Sequence, residues 1–262
     1  MLIAITRQVS PAIGSCELTH LERKVIDVSL ARTQHFQYEK GLSALGCEVH
    51  SLPAEPDLPD SVFVEDAAIV LDELAIITRP GASSRRPEVA SVARALEPHR
   101  RLVYIEAPGT VDGGDVLRVG KTLFMGQSSR SNPSALEQMQ TALHPHGYTV
   151  RGVSVSGCLH LKSAVTQVAE GTLLINPNWV DVRTFGDKTG GDWKLIEVDE
   201  SEPYAGNALL IGETVIYPAN FSRTRQRLEV QGISMMTVDV SELAKAEGAV
   251  TCCSLVFEAL RH

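Results

Sequence analysis

Short apolar runs recur along this chain in a fixed order. Ala67 to Leu71 and Leu74 to Thr78 are joined by Asp72-Glu73 and predict a hairpin. A loop with Pro80-Gly81 follows, then a helical pattern from Pro87 to Leu96 and a strand from Arg101 to Ile105. The order then repeats. Val116 to Val119 and Thr122 to Gly126 flank Gly120-Lys121, ahead of a helix from Pro133 to His144 and a strand from Tyr148 to Val153. A third round has Ala164 to Val168, Thr172 to Ile175, a helix from Asn178 to Phe185 and a strand from Leu195 to Val198. The fourth has Ala208 to Ile211, Thr214 to Pro218, a helix from Ser222 to Gln231 and a strand from Ile233 to Val238. Cys253 to Phe257 opens a fifth round that stops there.

The missing parts of the fifth round stand at the other end of the chain. They are strand Leu2 to Thr6, a long helix from Leu21 to Leu45 closed by Gly46, and strand Cys47 to Leu52. The rounds begin at residues 67, 116, 164, 208 and 253, a period of 44 to 49 residues. A period of that size marks a repeat architecture. Pairing the last strand with the first closes a circle and removes a sheet edge. The pattern therefore predicts one domain over residues 1–262, an α/β fold with five ββαβ-type units around an axis, a five-bladed α/β propeller of pseudo-five-fold symmetry. An open α/β sheet is the alternative, which the tight acidic and Gly hairpin turns disfavour.

In such a circle the residues preceding each unit's first strand converge on one axis. Here they are Glu65-Asp66, Asp115, His160-Leu161-Lys162, Gly206-Asn207 and Cys252. The first pair is the most informative. Acids at the edge of an apolar core need a partner, and no Lys or Arg lies within ten residues of the stretch Asp60 to Ala68. Two readings stand together: a carboxylate pocket for a cation, or acids capping a strand end in water. Cys252 and Cys253 have a similar alternative as packed thiols, and His160 as a satisfied core histidine. Coincidence at matching repeat positions favours a site. The loops after the hairpins add Arg79, Arg85, Arg86 and Arg130 one layer out, suited to an anionic end of a ligand.

Composition narrows the ligand. The chain has 262 residues, 44% hydrophobic and 21% charged, with a net charge of −8. That balance argues against nucleic acid and gives no pull toward an anionic membrane. No apolar run is long enough to span a bilayer, and Met1 to Arg7 is too short for a signal peptide. Five cysteines without framework spacing fit reduced thiols in a cytoplasmic compartment. No Cys or His spacing marks a structural metal site.

A thiol beside a histidine is an arrangement for covalent catalysis. Paired carboxylates beside it would oppose an oxyanion and raise the thiol pKa, which argues against an acyl substrate. They suit a guanidinium, whose fork of N–H donors carboxylates take bidentately. Nucleophilic attack on a guanidinium carbon follows.

Phe63-Val-Glu-Asp66, Thr78-Arg-Pro-Gly81 with Arg85-Arg86, Asp112-Gly-Gly-Asp115, Gly126-Gln-Ser-Ser-Arg-Ser-Asn132, Leu159-His-Leu-Lys162 and Thr251-Cys-Cys-Ser254 together resemble the dimethylarginine dimethylaminohydrolases of the guanidine-modifying amidinotransferase superfamily. The resemblance runs along essentially the whole chain. It implies the same five-bladed fold, hydrolysis of Nω-methylated arginine to L-citrulline and a methylamine through a covalent thiouronium, and no cofactor. It implies Cys252 as nucleophile, His160 as general acid and then base, and Asp112 as the carboxylate orienting His160. It further implies Glu65 and Asp66 for the guanidinium, Asp60 for the α-amine, Arg85 and Arg130 for the α-carboxylate, and a backbone carbonyl from Leu18. An inhibitory Zn²⁺ on Cys252 and His160 is a further expectation. Glu247 stands where relatives commonly carry Asp, and residues 14–20 match poorly. Both bear on methylated against plain guanidine. The expected partner is a small guanidino amino acid, with the protein a monomer or homodimer. The alternatives are a deiminase of arginine or another guanidino acid, and a non-enzymatic guanidino or amino-acid binding protein.

Overall fold

The computed structural model describes residues 1–185 and 193–260. In chain order it forms β1 (Leu2–Arg7), α1 (Val28–Ala44) and β2 (Cys47–Leu52), then β3 (Ala68–Val70), β4 (Leu74–Ile77), α2 (Val89–Leu96) and β5 (Arg101–Tyr104). Next come β6 (Val116–Val119), β7 (Thr122–Gln127), α3 (Pro133–Leu143) and β8 (Thr149–Ser154). The short α4 (Leu161–Ala164) leads into β9 (Val165–Ala169), β10 (Thr172–Ile175) and β11 (Lys194–Glu197). Last are β12 (Leu209–Ile211), β13 (Thr214–Pro218), α5 (Ser222–Val230), β14 (Ser234–Val238), α6 (Ser241–Ala244) and β15 (Leu255–Glu258).

Among the described residues these strands make five sheets of three. Each begins with an antiparallel pair and adds its third strand in parallel. That is the five-bladed propeller the repeat predicts. The fifth blade takes strands from both ends of the chain: β15 pairs antiparallel with β1, Ile3 opposite Phe257, and β1 pairs parallel with β2. The Ala259 N–H donates to the Met1 carbonyl at 2.8 Å, which completes the closure. The first strands of the blades surround an axial channel. Apolar residues fill the wedges between blades, where a helix of one unit packs against its neighbour's strands.

Two expected helices differ. The helix expected from Leu21 begins at Val28, capped by the Asp27 carboxylate. Upstream amides go to distant acids instead of helix carbonyls: Thr19, His20 and Leu21 donate to Glu247, and Asp27 to Glu242. The helix expected over Asn178 to Phe185 reduces to a single turn, Val182–Phe185. There the side chains of Asn176 and Asp181 accept from the N–H groups two residues on, which competes with helical pairing.

Candidate active site

The loops that precede the first strands meet at one end of the channel. The Glu65 N–H donates to the Cys252 carbonyl at 3.1 Å, and the Gly114 N–H to Asp66 Oδ1 at 2.9 Å. The glycines of Asp112-Gly-Gly-Asp115 are needed for space, not for a left-handed turn. Neither has a positive φ. A Cβ on Gly114 would sit 2.6 Å from His160 Nδ1 and 2.8 Å from Asp66 Oδ1.

The wall built here has two faces. Asp66 and Cys252 line a narrow, nearly closed cleft with Asp60, Arg85, Arg130 and His160. Their neighbours Glu65 and Thr251 turn to the axial channel, beside Lys162. Glu65 accepts from Lys162 Nζ and, at 2.8 Å, from the Thr251 hydroxyl. Asn207 ties down Thr251, accepting from its N–H at 3.1 Å and donating to its hydroxyl at 2.9 Å.

His160 stands between acids. Its Nε2 is 3.0 Å from Asp112 Oδ2, and its Nδ1 lies 3.9 Å from Asp66 Oδ1. Asp112 is fully buried and fixed through Oδ1 by the Gly81 N–H at 2.9 Å. Burial disfavours charge on His160, but the charge of Asp66 and the hydrogen bond to Asp112 outweigh it and raise its pKa to about 9. The imidazole is therefore a cation at neutral pH. Burial pushes Asp66 up, yet the charges of His160 and Arg85 hold it well below the usual carboxylate range. Burial, helped by Glu65 and Asp66, pushes the Cys252 thiol up to about 12. The protein alone thus holds a neutral thiol, an imidazolium and an ionised Asp66.

Arg85 is buried and its fork is engaged. It donates to Asp66 Oδ2 at 2.6 Å and Glu88 Oε2 at 2.9 Å, and to the carbonyls of Asp60 and Phe63. Arg130 is held more loosely, 3.5 Å from Asp112 Oδ2 and 3.1 Å from the Thr19 hydroxyl. Asp60 accepts from the Glu17 N–H at 3.1 Å. Leu18, between Glu17 and Thr19, is half-buried against the core cluster that contains Cys252. Residues 17–21 thus form a strap over the cleft.

Of the residues marked in the sequence, Asp60, Asp66, Arg85, Arg130, His160 and Cys252 come together in the cleft, and Asp112 sits directly behind His160. Glu65 faces the channel, with both carboxylate oxygens bonded within the protein. Asp115, another converging acid, bonds the hydroxyls of Ser128 and Ser131 and the Leu161 N–H. Arg79 and Arg86 hold carbonyls of Gly109 and Pro80. The longer side chain of Glu247 does reach the cleft, but its carboxylate is spent on the strap. Cys253 is fully buried against the Ala249 carbonyl. For the zinc expectation, the described metal-capable cluster is Asp66, Asp112 and His160, without Cys252. Sequence reasoning missed Glu88, Tyr38 and the tie between Thr251 and Asn207. The last was findable, because both occupy unit-start positions.

Such a propeller, with cysteine, histidine and paired acids gathered at one end of its axis, is the build of the guanidine-modifying enzymes. A family model described as "N,N dimethylarginine dimethylhydrolase, eukaryotic" matches residues 17–259, and the chain belongs to the dimethylarginine dimethylaminohydrolase family. It is 39% identical over 253 residues to N(G),N(G)-dimethylarginine dimethylaminohydrolase of Streptomyces coelicolor, covering 96% of this chain and 95% of that protein. A crystal structure of the Pseudomonas aeruginosa enzyme, a cysteine-to-serine mutant complexed with citrulline, superposes with a TM-score of 0.90 at 34% identity, covering 97% of this chain and 98% of that one. The N-terminal domain of a cyanobacterial arginine dihydrolase shares the fold, with a TM-score of 0.86 at 19% identity over 97% of each chain.

Proposed function

We infer that this protein hydrolyses Nω-methylated arginine to L-citrulline and a methylamine, with the whole chain acting as one catalytic domain. The observation that carries this reading is a cleft holding a thiol, an imidazolium and an ionised Asp66 side by side, in a chain 39% identical to a dimethylarginine dimethylaminohydrolase. A guanidinium seated against Asp66, with Glu65 close behind, places positive charge beside Cys252 Sγ and favours the thiolate, the thiol proton passing to solvent as the substrate binds. The thiolate attacks the guanidinium carbon. His160 delivers its proton to the leaving amine as the C–N bond breaks, giving a thiouronium on Cys252. The neutral imidazole then takes a proton from water, which attacks the same carbon. The C–S bond breaks and the thiolate leaves. Asp112 holds the ring for both transfers. Asp60 faces the α-amine, Leu18 lends a strap carbonyl, and Arg85 and Arg130 face the α-carboxylate, Arg130 having the looser ties within the protein.

The test is citrulline formation from asymmetric dimethylarginine, monomethylarginine and arginine, with Cys252→Ser as control. Citrulline from the methylated substrates and none from the variant is expected. Citrulline mainly from arginine would overturn the substrate and keep the chemistry. The acid role of His160 adds a pH limb: kcat/KM should fall as pH rises through about 9, where the imidazolium is lost. A profile flat to pH 10 would remove His160 from that role.

A further inference from the structure

One side chain takes three of the strap's main-chain amides. Glu247 Oε2 accepts from the Thr19 N–H at 3.0 Å, and Oε1 from the His20 N–H at 2.5 Å and the Leu21 N–H at 2.6 Å. Three consecutive main-chain donors converge on a single carboxylate. The arrangement is independent of the strap's own side chains. It is also costly for Glu247 itself, which among the described non-glycine residues has the one positive φ, 58°. A left-handed backbone at a side-chain-bearing residue persists only where its surroundings over-determine it.

The position of Glu247 gives that cost a purpose. It lies five residues before Cys252 and lines the cleft. Gly248, next to it, packs so closely on the Phe63 ring that any Cβ would collide with it. The carboxylate is therefore anchored to the cleft wall and to the chain segment that carries the nucleophile. Two of the strap's other polar ties are to groups that substrate itself would use, and a third has the Glu17 carboxylate accepting from the Ser84 hydroxyl at 2.5 Å. Asp60 accepts from the Glu17 N–H, and Arg130 donates to the Thr19 hydroxyl. When a substrate takes up Asp60 and Arg130, those ties are released. The Glu247 ties are not in competition with it.

We propose that Glu247 is a latch that keeps residues 17–21 over the cleft while substrate displaces the strap from Asp60 and Arg130, making it a positioning residue acting through Leu18. This rests on the proposed function for its kinetic consequence but not for its structural one. With the latch in place, the Leu18 carbonyl stays within reach of a bound ligand. Without it, the Ser84 hydroxyl on Glu17 is left to hold the strap when ligand arrives.

The experiment compares wild type with Glu247→Ala and Glu247→Asp. Amide hydrogen exchange at Thr19, His20 and Leu21 is measured on the protein alone, together with the rate at which iodoacetamide alkylates Cys252. Kinetics on dimethylarginine follow. Glu247→Ala should speed exchange at the three amides and speed alkylation. It should raise KM about tenfold, the equivalent of one charge-assisted hydrogen bond, with kcat changed less than KM. Glu247→Asp keeps the charge and should restore most of the protection. Unchanged exchange and alkylation in Glu247→Ala overturns the latch, whatever the substrate. A fall in kcat at constant KM also overturns it, since that reports damage to the Cys252 loop. If wild type yields no citrulline, the proposed function fails and exchange alone decides the latch. If Glu247→Ala does not fold, Glu247→Gln carries the same comparison.

Discussion

At the scale of single residues, the two arginines of the cleft have different work. Arg130 has the looser ties, to Asp112 and the Thr19 hydroxyl, and can exchange them for an anion. Arg130→Ala should raise KM for dimethylarginine by the equivalent of about 1.5–3 kcal/mol, with the melting temperature nearly unchanged. Arg85 neutralises two buried carboxylates, Asp66 and Glu88. Arg85→Ala strands them and should destabilise the fold by about 3–5 kcal/mol, seen as a lowered urea midpoint. If Arg85→Ala melts like wild type, Arg85 is a substrate group and nothing more. The sequence marked both arginines as one kind because it shows charge without partners. Glu88 had no signal at all, being an acid in a helical stretch whose burial depends on where Arg85 folds. Asp66 was legible for the opposite reason: an acid so far from any local cation needed a distant one. The partner proved to be Arg85, nineteen residues on.

Elements were legible wherever period and turn chemistry agreed. The strands β6, β10 and β13 fall on the expected residues, because each is a short apolar run bounded on its hairpin side by a Gly-containing turn: Gly120-Lys121, Glu170-Gly171 and Gly212-Glu213. α1 was legible in its body and not in its start. Its first turn is set by Asp27, and Asp27 is placed by Glu242 from across the fold. α1 also reaches the site. Tyr38, fully buried, donates to the Val250 carbonyl at 2.8 Å and lies 2.7 Å from Ser254 Oγ, bracketing the turn that carries Cys252. Tyr38→Phe removes that clamp and leaves the Val250 carbonyl without it. A loss of about 1–3 kcal/mol is expected, read from urea denaturation. KM should stay within twofold, since the phenol meets no substrate. An unchanged urea midpoint would mean that the turn stands without α1.

On the scale of the whole molecule, five short blades share one axis, and closure holds them. Met1 and Ala259 are hydrogen-bonded across the seam. Joining the ends by a short linker and opening the ring at the exposed Gly120-Lys121 turn should therefore leave all five blades intact. The expected result is a folded permutant with citrulline formation within about fivefold of wild type, because such exposed turns tolerate new termini. A permutant that aggregates would show that the seam depends on more than strand pairing. The ring was legible from the period alone. The two-faced wall at its end was not, because which of two adjacent residues faces the cleft depends on backbone turns that no period encodes.

The seam also sets an order in time. β15 begins three residues after Cys252 and completes the blade that β1 begins. While the chain is being made, β1 emerges well before β15 and waits for a partner some 250 residues behind it. Ring closure and delivery of the thiol are the same late event, so a partly synthesised chain holds acids and arginines for a guanidinium but has no means of cutting it. Such late, long-range pairing folds slowly. The unfinished β1 edge is then the surface most in need of protection on the ribosome.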